Sequence, residues 1–290
     1  FLSMNPFSSR CCQHNHAQGW PYFTEHLVLA TPDNGVATAI YAACKATVKV
    51  GDGKEITLHE ETNYPFEEAI AFTVSTGEKV AFPFYLRIPS WTQKAEVRVN
   101  GKKVSAAPVA GKYLCINREW ANGDRVELTL PMSLSMRTWQ VNKNSVSVDY
   151  GPLTLSLKIA EKYVEKDSRE TAIGDSKWQK GADSKKWPTT EIYPDSPWNY
   201  SLVLDKKEPL KNFKVIRKSW PADNYPFTVT SVPLEVKAIG RPVPEWKIDE
   251  TGLCGVLPEE DAVKGDKEEI TLIPMGAARL RISAFPNTKE

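Results

Sequence analysis

After Asn34 the chain keeps a two-residue rhythm almost without interruption, and that alternation restricts it to sheet with one face in and one face out. Val36–Ala43 and Lys45–Val50 read as strands followed by the turn Asp52-Gly53. Ile56, Leu58 and Glu60 continue the alternation, and Ile70, Phe72 and Val74 repeat it. Val80–Pro89 is apolar nearly throughout, which places it centrally in a sheet. Val97 and Val99 run into Asn100-Gly101, a pair that tolerates the positive φ of a tight hairpin. Tyr113–Trp120 leads to a second such turn, Asn122-Gly123, after which Val126, Leu128 and Leu130 alternate with polar residues. Val146, Val148 and Tyr150 precede Gly151-Pro152, and Leu153, Leu155 and Leu157 follow. About ten short strands with X-Gly hairpin turns predict a mainly β fold of antiparallel sandwich type.

Two stretches break the rhythm. Within 13–30, Trp20, Phe23 and Leu27 fall at helical spacing; Pro21 confines a helix start to near Gly19, and Thr31-Pro32-Asp33-Asn34-Gly35 stops it. Residues 160–197 are rich in Lys, Asp, Ser and Gly with Trp178, Trp187 and Trp198 among them, long for a connection inside one domain. Strand patterns resume at Tyr200–Leu204, Phe213–Arg217, Phe227–Ala238 and Ile270–Phe285. The expected organisation is a helical segment over 1–32, a first β-sandwich over 33–158 completed by 269–286, and a long loop plus a second β-sandwich over 159–268.

The 290 residues suffice for two cores. Lys plus Arg number 37 against 36 for Asp plus Glu, so no net field favours nucleic acid or an anionic membrane. No apolar run approaches the roughly 18 residues of a spanning helix. Five cysteines are too few, and odd in number, for a disulfide scaffold. Cys44, Cys115 and Cys254 read as buried small hydrophobes. A first residue of Phe, with no cap or turn opening a domain, reads as a chain that begins inside something larger.

The reactive chemistry is concentrated in Cys11-Cys12-Gln13-His14-Asn15-His16. A cysteine acts as nucleophile or metal ligand only as thiolate, which a bound cation or neighbouring positive charge favours. Two adjacent thiols do not complete a tetrahedral zinc site, and the chain offers no second pair. The plain alternatives are a buried pair or a strained vicinal disulfide. His14 and His16 read as ligands, acid–base groups or cleft-lining polar residues. His59-Glu60-Glu61 lies in a strand pattern, where neighbours face opposite ways, so it is not a three-residue site. The tryptophans permit a sugar-stacking platform, though core and interface roles are the plainer account. There is no Gly-rich phosphate loop, no Gly-x-Ser-x-Gly elbow and no His-Glu-x-x-His.

The order of motifs goes further than any one of them. Cys11-Cys12-x-x-Asn15, a short helix and Thr31-x-Asp33-x-Gly35 are followed by Leu86-Arg87-Ile88-Pro89-x-Trp91 and Val97-x-Val99-Asn100-Gly101. Trp120-x-x-Gly123-Asp124, Gly151-Pro152-Leu153, Leu272-x-Pro274-x-Gly276 and Leu280-Arg281-Ile282 complete the set. In this order they resemble the C-terminal portion of the β-L-arabinofuranosidases of glycoside hydrolase family 127, most tightly over 11–158. The resemblance implies an (α/α)6-barrel catalytic domain, of which 1–32 would be the last loop and helix, followed by two β-sandwiches. It implies retaining hydrolysis of terminal β-L-arabinofuranosides of plant glycans through a zinc-held cysteine rather than the usual carboxylate. Cys11 would be the nucleophile, Cys12 and Cys11 zinc ligands, and His14, Asn15 and His16 substrate contacts. The family's Glu-x-Cys ligand segment and acid/base glutamate lie upstream, and no Glu-x-Cys occurs here. The expectation is therefore a part of a glycoside hydrolase, inactive by itself and partnered by its own barrel and an arabinose-containing plant glycan, with a periplasmic or secreted setting favoured. The competing expectation is a non-catalytic carbohydrate-binding or structural β module.

Overall fold

A computed structural model describes residues 15, 17–166, 184–186, 189–250, 252–259 and 261–290. The chain divides into two compact units, with the boundary between Ser133 and Leu134. The first is a sandwich of two sheets. One runs in the order Val28–Ala30, Val36–Thr38, Val80–Arg87, Tyr113–Trp120, and the other Cys44–Val50, Lys54–Thr62, Ala69–Thr76, Arg125–Thr129, Glu96–Val99, Lys102–Lys103. The apolar alternation explains the stacking. Phe82, Phe84 and Leu86 point inward from one sheet, and Ile56, Leu58, Ile70, Phe72 and Val74 from the other, forming a single core. Phe72 and Phe84 meet edge to face across it, ring centres 5.4 Å apart. Trp120 is fully buried, stacks on Phe82 at 5.6 Å and donates its indole N–H to the Phe82 carbonyl at 3.0 Å. Its truncation to Ala would cost on the order of 3–5 kcal/mol.

Val80–Arg87 is indeed central, flanked by Tyr113–Trp120 and by Val36–Thr38. The latter pairing is parallel, so the sandwich is not wholly antiparallel. The hairpin expected at Asn100-Gly101 forms, both residues carrying positive φ (50° and 76°). Asn122-Gly123 is different: it joins Tyr113–Trp120 in one sheet to Arg125–Thr129 in the other and is a corner, not a hairpin. There Gly123 donates its N–H to the Val74 carbonyl.

The second unit holds an eight-stranded sheet. Its path is Leu134–Trp139, Ser145–Tyr150, Leu153–Leu157, Glu268–Pro274, Leu234–Pro242, Tyr200–Leu204, Asn287–Lys289, with Lys214–Arg217 also pairing Leu234–Pro242. Ser145–Tyr150 and Tyr200–Leu204 are buried at every position, so both faces of those strands are covered. Glu161–Lys166 and Thr189–Pro194 form a separate two-stranded ribbon. The compact units therefore change over at 133/134, where the sequence rhythm put the boundary at 158. The reason is pairing: Leu153–Leu157 is hydrogen-bonded to Glu268–Pro274, which takes the preceding strands with it. Among the described residues no helix is long and apolar enough to cross a membrane.

The helix expected to start near Gly19 and run to the Thr31–Gly35 stop does start there but is short, Gly19–Glu25, and buries none of its residues. Pro21 sits in its first turn, and the Val28–Ala30 run leaves the helix for an edge strand. Leu27 alone of the expected stripe is buried; Trp20 and Phe23 are exposed.

Candidate functional site

Cys11, Cys12, His14 and His16 lie outside the described residues. Asn15 is described: it is exposed in a helical turn, its carbonyl accepting the Gln18 N–H at 3.1 Å. Just beyond it, Trp20 and Phe23 meet edge to face at 6.4 Å, with Trp20 62% exposed, so the segment after the cysteine pair presents aromatic surface.

The motif Thr31-x-Asp33-x-Gly35 is a braced loop. Thr31 donates its hydroxyl to the Asp33 carboxylate and accepts the Gly35 N–H at 3.0 Å, and the Tyr85 hydroxyl donates to the other Asp33 oxygen at 2.6 Å. Those bonds, Thr31 first and Tyr85 second, hold the Asp33 carboxyl below its usual range. Gly35 has no room for a side chain, since a Cβ there would lie 2.2 Å from the Pro83 carbonyl oxygen.

The other motifs prove to be braces as well. The Asn100 amide donates to the Asp124 carboxylate at 2.7 Å and accepts the Arg125 N–H at 2.8 Å, so two motifs separated in sequence meet at one corner. Burial alone would raise the Asp124 carboxyl, but the Ala121 N–H, Asn100 and the Arg118 guanidinium hold it low. Arg87 donates to the Ala39 carbonyl at 2.5 Å, and the Tyr41 hydroxyl donates to the Arg87 carbonyl at 2.5 Å. In the second unit Arg281 donates to the Ala278 carbonyl, and the Ile282 N–H reaches the buried Ser156 hydroxyl.

One ionisable pair escaped the sequence reading. Glu60 is 1% exposed, on the inward face of Lys54–Thr62 beside Ile56 and Leu58, and its Oε1 has no hydrogen-bond partner. The Cys44 thiol donates to its Oε2 at 3.8 Å. Burial raises the Glu60 carboxyl to about 8, against the Ala42 N–H and the Cys44 thiol, which pull it down. Burial, then the Glu60 carboxyl, pushes the Cys44 thiol up to about 11. A protonated acid and a protonated thiol side by side make a neutral buried pair, unsuited to nucleophilic work near pH 7. The signal was present: Glu60 takes the third place in an inward set that begins Ile56, Leu58.

Cys115 and Cys254, expected to be buried, are exposed, and Cys44 is half-buried. Cys115 occupies an outward position of the Tyr113–Trp120 strand, and Cys254 lies in an irregular stretch paired only by a bridge to Ile248. Among the described residues no group of three or more His, Cys, Asp or Glu is placed to hold a metal ion.

Residues 35–132 match the sequence model described as the GH127 middle domain of beta-L-arabinofuranosidase. The first sandwich is thus similar to a GH127 middle domain. The match covers the two sheets just described except for the Val28–Ala30 strand, and stops one residue before the boundary between the units. The fold agrees with solved structures. A GH127 beta-L-arabinofuranosidase from Geobacillus stearothermophilus T6 superposes with a TM-score of 0.63 at 22% identity, covering 96% of this chain and 37% of that one. A structure named glycoside hydrolase gives 0.64 at 21% identity, covering 98% and 40%. A GH127 beta-arabinofuranosidase gives 0.63 at 22%, covering 99% and 41%. The chain thus spans about two-fifths of the length of these structures, and the likeness extends beyond the GH127 middle domain into the second unit. A search of curated proteins finds no match to the chain.

Proposed function

We propose that this chain is part of a retaining glycoside hydrolase that cleaves β-L-arabinofuranosides of plant glycans, with Cys11 as nucleophile and Cys12 as metal ligand. The observation that carries the reading is the GH127 middle domain at 35–132 lying directly after a Cys-Cys pair, in a chain whose fold follows GH127 structures over nearly all its length. Two thiolates are soft donors of the kind zinc takes, and they are half of a closed tetrahedral set. Zinc, when bound, would keep the thiolates formed near neutral pH. The described residues offer no cluster to supply the remaining donors, so the proposal draws them from the family's Glu-x-Cys segment outside this chain.

In this reading the Cys11 sulfur attacks the anomeric carbon, the glycosidic C–O bond breaks, and the leaving oxygen takes a proton from a carboxylic acid. Water then gives a proton to the carboxylate left by the first step and attacks the same carbon, the C–S bond breaks, and Cys11 is released as thiolate with net retention. His14, Asn15 and His16, next to the nucleophile, would donate hydrogen bonds to sugar hydroxyls.

The test is turnover of an aryl β-L-arabinofuranoside by the full gene product, with Cys11→Ser and Cys12→Ser beside it. Loss of turnover in both, with an arabinosyl mass adduct trapped on Cys11 in the parent, is expected. Cys11→Ser turning over as fast as the parent would remove Cys11 from the chemistry. Efficient turnover by residues 1–290 alone would show that the chain needs no further ligand segment.

A further inference from the structure

We infer that the second unit carries a saccharide-binding cleft of its own, built at the root of the two-stranded ribbon. The inference stands on this cleft's chemistry and holds whether or not Cys11 is a nucleophile. The cavity measures about 670 Å³ and is lined by Tyr163 and Glu161 of the ribbon, Arg279, Ser196 and the segment around Thr228. Its volume is that of a small-molecule site, with a few convergent polar groups around it.

The ribbon fixes what faces the cavity. Residues two apart on a strand share a face, so Glu161 and Tyr163 stand side by side. The Tyr163 hydroxyl donates to Glu161 Oε2 at 2.6 Å, while the Arg279 backbone N–H donates to Oε1 at 3.1 Å and its guanidinium lies 3.9 Å from Oε2. The Glu161 side chain is only 4% exposed, so this carboxylate is a fixed part of the wall. Tyr163 itself is 52% exposed; its ring is held by the hydroxyl bond while one face stays open. Across the cavity Thr228 shares its hydroxyl with Thr230 at 3.1 Å and Ser231 at 2.7 Å, and Ser231 in turn donates to the Tyr225 carbonyl. Ser196 accepts the Ala160 N–H at 2.9 Å, fixing a further hydroxyl at the rim.

A sugar ring has an apolar C–H face edged by hydroxyls that both donate and accept. The cleft offers matching parts: an aromatic face fixed by the wall carboxylate, a guanidinium donor and hydroxyls that serve either way. A phosphate or other anion would meet the Glu161 carboxylate, and a metal ion would find the Arg279 guanidinium on that same carboxylate. Both groups argue for a neutral oligosaccharide. Holding the rings costs the saccharide little, because the site is already organised.

The test titrates the full chain separately with arabino-, xylo- and cello-oligosaccharides at millimolar concentration, following amide resonances of 158–166 and 228–231. At least one should shift them saturably. Tyr163→Ala is expected to weaken that binding about tenfold, the magnitude of one aromatic contact, while Tyr163→Phe stays within about threefold. Arg279→Gln, which keeps the backbone bond to Glu161, should weaken binding as well and serves if Tyr163→Ala fails to fold. No shift with any of the three saccharides would overturn the inference. So would undiminished binding by a folded Tyr163→Ala or, where that variant does not fold, by Arg279→Gln.

Discussion

Glu60 makes the first unit's stability depend on pH in a direction opposite to that of most paired carboxylates. Its carboxyl titrates near 4.5 when solvated and near 8 in the fold, where burial dominates. Below pH 4.5 both states carry the proton and the fold is not penalised. Between 4.5 and 8 the unfolded chain has released it and the folded chain has not, so folding must recover a proton and stability falls as pH rises, by about 1.4 kcal/mol per pH unit. Above 8 both states are ionised and the loss levels off, having reached on the order of 5 kcal/mol at most. Glu60→Gln keeps the shape and cannot ionise. Urea unfolding of parent and variant at steps from pH 5 to 8.5 isolates the effect, because titrating groups that do not interact with Glu60 cancel in the difference. The stability of Glu60→Gln minus that of the parent should rise steadily across the interval, whatever constant offset the amide brings. A difference that stays flat with pH would show that Glu60 is solvated or ion-paired in the fold and would refute the reasoning.

Other outcomes follow from the geometry of both units. Arg137 holds Asp149 through two bonds, 2.7 and 3.0 Å, and lies over the Trp139 ring at 5.0 Å. Arg137→Lys should therefore lower the second unit's stability by about 1–2 kcal/mol, measured by urea unfolding, because an ammonium cannot reproduce the fork. Gly35→Ala drives a methyl into the Pro83 carbonyl and should cost about 2–3 kcal/mol in the same assay. Gly53→Ala meets open space and pays only for its positive φ of 85°, about 1 kcal/mol. Timed alkylation at pH 7.5 read by peptide mass spectrometry should label Cys115 and Cys254 well before Cys44, whose thiol is half-buried and pushed up to about 11.

Much of the first sandwich was legible because its strands each bury one face. Val97, Val99 and Asn100-Gly101 specify strand, register and turn together, and the hairpin follows. Asn122-Gly123 carries the same letters but makes a corner, because a turn's sequence fixes local φ and not the sheet that the next strand joins. The helix after the cysteines starts where Pro21 put it but ends early, because the spacing of Trp20, Phe23 and Leu27 does not show that Val28–Ala30 leaves for an edge strand. The second unit's boundary was hidden in pairing between residues more than a hundred positions apart, which no local rhythm encodes. Exposed Cys115 and Cys254 show that a thiol in a strand or turn context is not thereby a core residue. Several of the motifs that carried the family resemblance, where they fall among the described residues, brace loops and corners and say little about chemistry.

The late partnership of Leu153–Leu157 with Glu268–Pro274 has a consequence during synthesis. Every strand of the first sandwich has been made once residue 129 is added, so that body can close as soon as this stretch clears the exit tunnel, while the ribosome is still translating the rest. The nascent second body must instead wait, with the hydrogen-bonding edge of Leu153–Leu157 open, until its partner arrives. Through that interval it offers a strand-pairing surface to any neighbouring chain, and slow translation or crowding would be felt there first.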